Sequence, residues 1–150
     1  MKKLLTTMAA LLLFTFVSAQ GAHAQGPFTT AGTWTFFVKI NGAPPCQCIQ
    51  LGNLKPDGTI EVPANDNFTG NGFGLWKQIG NGDVKVVFLQ NAMNDDGTAA
   101  GLYVIKGTMT LSAAGDSGSG TSTFQLIGND GKAIVSGTAT FTATKLKIDF

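Results

Sequence analysis

GLYVIKGTMTLSAAGDSGSGTSTFQLIGNDGKAIVSGTATFTAT, residues 101 to 144, holds the plan of the chain. It divides into three alternating runs, Gly101 to Leu111, Ser117 to Ile127 and Ala133 to Thr144. Two short breaks part them, Ala113-Ala114-Gly115-Asp116 and Gly128-Asn129-Asp130-Gly131. Thr, Val, Ile and Phe dominate the runs, and such side chains fit a pleated, half-buried surface. Gly, Asn and Asp fill the breaks, where they supply the backbone angles and local hydrogen bonds of a tight reversal. The stretch therefore reads as consecutive β-hairpins.

The earlier chain repeats the pattern less regularly. Thr33 to Ile40 places Trp34, Phe36, Val38 and Ile40 on one face and Thr33, Thr35, Phe37 and Lys39 on the other. Period-two alternation of this kind marks a strand buried on one side. Further strands are expected over Cys46 to Leu54, Thr59 to Val62, Phe73 to Ile79 and Val84 to Met93, separated by turn sequences such as Lys55-Pro56-Asp57-Gly58 and Gly80-Asn81-Gly82-Asp83. No stretch after residue 25 keeps a 3.6-residue apolar period free of turn residues, so no helix is expected. Eight consecutive antiparallel strands leave two open edges unless the sheet closes. An all-β, eight-stranded up-and-down barrel is the leading architecture, with a two-sheet sandwich as the alternative. Glycines at 107, 118, 120 and 137 fit closure, since glycine eases bends where a small barrel turns its corners. Pro63 to Gly72 is the longest irregular stretch and the candidate lid or binding rim.

Residues 1 to 24 read as a cleaved export signal: Lys2 and Lys3, an apolar run from Leu4 to Val17, then Ala22-His23-Ala24 before Gln25. The expected mature chain, residues 25 to 150, is then a single periplasmic or secreted domain. The sole histidine, His23, leaves with the signal, and the sequence contains no arginine. Ser-His-Asp and Cys-His catalysis are thereby excluded from the mature chain. Eight Lys would face nine Asp and Glu, scattered singly. Without a basic patch interleaved with aromatics, nucleic acid is not an expected partner, and without a lysine run neither is a charged membrane surface. No cofactor or metal is expected.

Cys46 and Cys48 are the two cysteines. Residues two apart on an extended strand lie close to the limit for bridging, roughly 7 Å between Cα atoms. Free thiols, a local disulfide across a kink at Pro44-Pro45, and a weak metal or redox role all stay open. Asp57, Asp83, Asp95, Asp96, Asp116 and Asp130 sit in expected turns, where Asp bonds nearby backbone. Glu61 is the one strand carboxylate to consider as an acid or base, beside Tyr103.

Gly32-Thr33-Trp34, at the head of the first long strand, resembles the Gly-x-Trp that opens the barrel of lipocalins and other calycins. The later segments Gly74-Leu75-Trp76, Gly107-Thr108-Met109-Thr110-Leu111 and Ser136-Gly137-Thr138 resemble small exported bacterial calycin-like barrels of unassigned function. The resemblance implies a barrel and brings no known activity with it. Barrel shape alone is similar to that of allene oxide cyclases, which implies an isomerase as an alternative.

The expected interior carries Trp34, Phe36, Trp76, Phe88, Tyr103, Met109, Phe124 and Phe141, and these are the candidate ligand-binding residues. Large aromatics on the early strands face Gly, Ser and Ala on the late ones, so space is expected near residues 118, 120, 122, 137 and 139. A barrel of eight strands either fills itself or holds one small ligand. A non-catalytic carrier or sensor of a small apolar molecule is the first functional expectation. A surface or assembly module using exposed Phe37, Phe73, Val87 and Leu89, including a homo-oligomer, is another.

Overall fold

A computed structural model describes residues 29–44, 48–64, 69–80 and 82–147. Eight strands follow one another: β1 (Gly32–Ile40), β2 (Cys48–Leu54), β3 (Thr59–Val62), β4 (Thr69–Ile79), β5 (Asp83–Met93), β6 (Ala99–Leu111), β7 (Ser117–Gly128) and β8 (Ala133–Lys145). Each pairs antiparallel with the next, and β1 pairs with β8 from Trp34 opposite Lys145 to Ile40 opposite Ala139. The sheet is a closed up-and-down barrel, as the alternation and short breaks imply, and the sandwich alternative is set aside.

Three of the connections use one local device. In Asp57-Gly58-Thr59, Asp96-Gly97-Thr98 and Asp130-Gly131-Lys132 the aspartate Oδ1 accepts the backbone N–H two residues on, at 2.9, 2.9 and 3.0 Å. The glycine between takes a left-handed φ of 85°, 80° and 77° respectively. This is the hairpin connection in which a turn is followed by a left-handed residue. The residue types are those the geometry demands.

Cross-strand register decides which side chains share a face. Trp34, Phe36, Val38 and Ile40 of β1 stand in the same layer set as Val84, Val86 and Phe88 of β5 and Met109 and Leu111 of β6, all inward. Trp34, Leu54, Ile60, Val62, Val84, Met109, Leu111, Phe141 and Ala143 form the buried core, with Phe36, Val38, Trp76, Val86 and Phe88 packed against it. Burying each large apolar side chain contributes about 1.5–3 kcal/mol. Thr residues dominate the opposite face of β7 and β8, and that alternation settles inside from outside.

β4 starts four residues before the expected Phe73. Gly70 and Gly72, which suggest loop by composition, belong to the ladder: a Cβ on Gly72 would stand 2.9 Å from the carbonyl oxygen of Leu89. The register also shifts between Thr69 and Gly72, a bulge-like irregularity that breaks the simple alternation. β3 is short, and only Asn53 with Glu61 and Leu54 with Ile60 join it to β2. Beyond those pairs the Gln50 side chain continues the seam, donating from Nε2 to the Pro63 carbonyl at 3.2 Å.

Candidate functional site: a cavity in one half of the barrel

The two ends of the barrel differ. At one end the chain before β1 folds beneath the strands, and Thr30 is buried there. Trp34, fully buried, donates from Nε1 to the Thr30 carbonyl at 2.9 Å. Thr30 in turn donates from Oγ1 to Gln78 Oε1 at 3.0 Å. The Lys145 ammonium lies 5.9 Å from the centre of the Trp34 ring and donates to the Thr29 carbonyl at 2.6 Å. Burial holds the Lys145 pKa below the usual lysine value, because the charged form loses hydration. Trp76 closes the same end by donating from Nε1 to the Lys55 carbonyl at 2.8 Å. Leu54, Val84, Met109, Leu111 and Ala143 fill the space between.

The other half is open inside. A cavity of about 560 Å³ lies there, walled by Phe36, Val38, Ile105, Phe88, Phe124 and Phe141, with Gln50, Thr69, Gln90, Tyr103 and Ser122 among its polar members. Its volume falls in the range of small-molecule sites, roughly 300–1,000 Å³. No Lys, Asp or Glu is among its lining residues. Phe36 and Phe141 meet edge to face with ring centres 5.7 Å apart, and Tyr103 and Phe124 do so at 6.4 Å. Such pairs fix ring orientation beyond what burial alone provides.

Five of the eight expected ligand residues, Phe36, Phe88, Tyr103, Phe124 and Phe141, stand together on this wall. Trp34, Trp76 and Met109 do not: they belong to the packed end, where Trp34 and Met109 are essentially inaccessible. Space near residues 118, 120 and 137 is a further departure. A Cβ on Gly120 would stand 2.7 Å from the Phe141 ring, one on Gly137 2.6 Å from the Phe124 ring, and one on Gly118 3.0 Å from Met109. The glycines seat large neighbours instead of leaving voids. Only Ser122 and Ala139 of the five open onto the cavity. Among the lining residues that periodicity does not single out are Gln50 and Gln90, though both fall on inward positions.

The remaining sequence candidates lie elsewhere. Glu61 points outward and is ion-paired with Lys55, away from the cavity wall. Asp57 and Asp96 accept hydrogen bonds from the hydroxyl and N–H of Thr59 and Thr98, which hold both carboxyls below the usual range. The Asp116 carboxyl is likewise held low, first by its hydrogen bond with Lys147 and by that lysine's charge. These carboxylates are structural parts of turns. Among the described residues no cluster of His, Cys, Asp and Glu could hold a metal ion. Cys48 stands at the mouth in disulfide form; Cys46 lies outside the described residues, as does the expected signal at residues 1 to 24.

Of the expected rim loop, Pro63 to Gly72, Pro63 accepts the Gln50 bond and Thr69, already in β4, lines the cavity. On the outer wall Phe73 pairs with Leu89 and Leu75 with Val87, all four exposed; Phe37 is exposed on β1. Comparison with protein-family models, curated proteins and solved structures gave no match. The functional reading therefore rests on the geometry of the barrel.

Proposed function

We propose that this protein is a non-catalytic, calycin-like binding barrel of the periplasm or the secreted space, holding one small apolar molecule in the open half of its interior. One observation carries the reading: a cavity of about 560 Å³, walled mainly by Phe, Val and Ile and free of charged side chains, sits on a packed floor. A void of that size forfeits van der Waals contacts along its whole lining. An apolar guest restores those contacts and removes apolar surface from water. The export part of the reading is supported by Lys2-Lys3, the apolar run to Val17 and Ala22-His23-Ala24.

The test is a titration of the purified protein with N-phenyl-1-naphthylamine, a neutral apolar fluorophore whose emission rises in dry surroundings. Saturable enhancement at one site per chain is expected, and it should fall at least tenfold in affinity in Ala139→Leu, which projects a larger side chain into the cavity. Absence of saturable enhancement in the wild-type protein, with the fold verified by circular dichroism, would refute the proposal.

A further inference from the structure

Resting on the reading of the cavity as a binding site, we infer that its guest is a neutral amphiphile that donates a hydrogen bond, such as an alcohol, and is not a carboxylate. Gln90 carries the argument. It is 3% exposed, and its Nε2 donates to the Gly70 carbonyl at 3.1 Å. A backbone carbonyl can only accept, so the amide nitrogen must face it and the carbonyl oxygen must face the other way. That oxygen, Gln90 Oε1, has no partner among the described residues. It is not sealed off either, since no buried side-chain nitrogen or oxygen among those residues lacks a partner. Gln90 lines the cavity, so the oxygen opens onto the void.

Gln50 repeats the arrangement nearer the mouth. Its Nε2 donates to the Pro63 carbonyl at 3.2 Å, which leaves its Oε1 as a second acceptor on a residue of the cavity wall. Tyr103 sits directly across the β5–β6 ladder from Gln90 and also lines the cavity. Each glutamine amide thus turns its nitrogen toward a backbone carbonyl and keeps its oxygen as an acceptor on the cavity wall.

Acceptors of this kind discriminate between guests. A hydroxyl gives Gln90 Oε1 the donor it lacks, while an ether or hydrocarbon leaves that oxygen unsatisfied once water is displaced. A carboxylate fares worse: it brings a charge into an apolar space with no lysine on the wall, where neutral donors such as the hydroxyls of Tyr103 and Ser122 offer no compensating charge. The expected preference for the donor-bearing guest is about tenfold, the factor matching one satisfied buried acceptor.

Displacement of bound N-phenyl-1-naphthylamine by decan-1-ol, its methyl ether and decanoate tests this on the wild-type protein. Decan-1-ol is expected to displace the fluorophore about tenfold better than either other compound. In Gln90→Met, similar in length and apolar, the advantage over the ether should shrink to less than about threefold. Equal displacement by all three compounds, or strongest displacement by decanoate, would overturn the inference while leaving the binding site standing. Failure of the fluorophore itself to bind would remove the site and the inference together. If Gln90→Met does not fold, the three-compound series on the wild-type protein decides alone.

Discussion

The ring of Phe124 on β7 occupies the place of a side chain on Gly137, its direct partner on β8: a Cβ built there would lie 2.6 Å from the ring. Phe141 takes the same seat over Gly120 on the other side of the β7–β8 ladder. Small residues on the late strands are therefore where large rings from adjacent strands settle. The cavity lies beside those rings.

Gly137→Ala and Gly120→Ala should separate the two halves of the barrel. At Gly137 the clash is with a ring that borders empty space, so the ring swings inward at a cost of about 1 kcal/mol and guest affinity drops. At Gly120 the added Cβ also meets the Thr108 carbonyl oxygen at 2.0 Å, which is backbone and cannot step aside. That variant is expected to lose about 3 kcal/mol. Urea denaturation of both, compared with wild type, reads the difference, and equal losses would contradict the account.

Trp34→Phe should weaken folding without touching the cavity. The substitution removes the Nε1 bond to the Thr30 carbonyl and leaves a gap in the packed end, together about 2–4 kcal/mol. Guest affinity should stay within about twofold of wild type, since the bond removed lies beneath the packed floor. Phe88→Ala, by contrast, strips the cavity wall and is expected to weaken guest binding at least tenfold. A large affinity loss in Trp34→Phe would show that the packed end takes part in binding.

Acid should destabilise the barrel through its turns. Asp57 and Asp96 have carboxyls depressed in the folded state by Thr59 and Thr98. Their contribution is complete above the ordinary carboxylate pKa of the unfolded chain and disappears as pH falls through the lower folded values. Thr98→Val removes the hydroxyl donor, so its stability should decline less steeply than wild type between neutral and acid pH. Thermal melts across that range give the comparison, and parallel curves would argue against the role given to the hydroxyl.

Glu61→Gln should prove nearly silent. The Lys55–Glu61 pair is more than a third exposed on both sides, and exposed pairs contribute between about 0 and 1 kcal/mol. A shift beyond that in denaturant midpoint, or any change in guest binding, would show that Glu61 does more than join β3 to the preceding turn.

Much of this fold was legible because a barrel strand states its inner and outer faces every second residue. Trp34, Phe36, Val86, Phe88, Tyr103 and Phe141 all stand on the inward face that alternation assigns. Depth along the barrel axis was not legible, because the repeat is the same at both ends. What makes one end solid is the placement of Thr29–Ala31 beneath Trp34 and of Lys145 beside it, contacts between remote segments that no local period encodes. The glycines misled for a related reason. A missing side chain signals space only if no neighbour leans into it, and the partners of Gly120 and Gly137 become visible only once register is fixed.

The division into a packed half and an open half is tested most directly by methyl NMR during titration with N-phenyl-1-naphthylamine. Methyl resonances of Val38, Ile105 and Ala139, which line the cavity, should shift and saturate together. Those of Leu54, Val84 and Met109, buried in the packed end, should stay nearly still. Shifts centred on Leu75, Val87 and Leu89 of the outer wall, or spread evenly over both halves, would contradict the account.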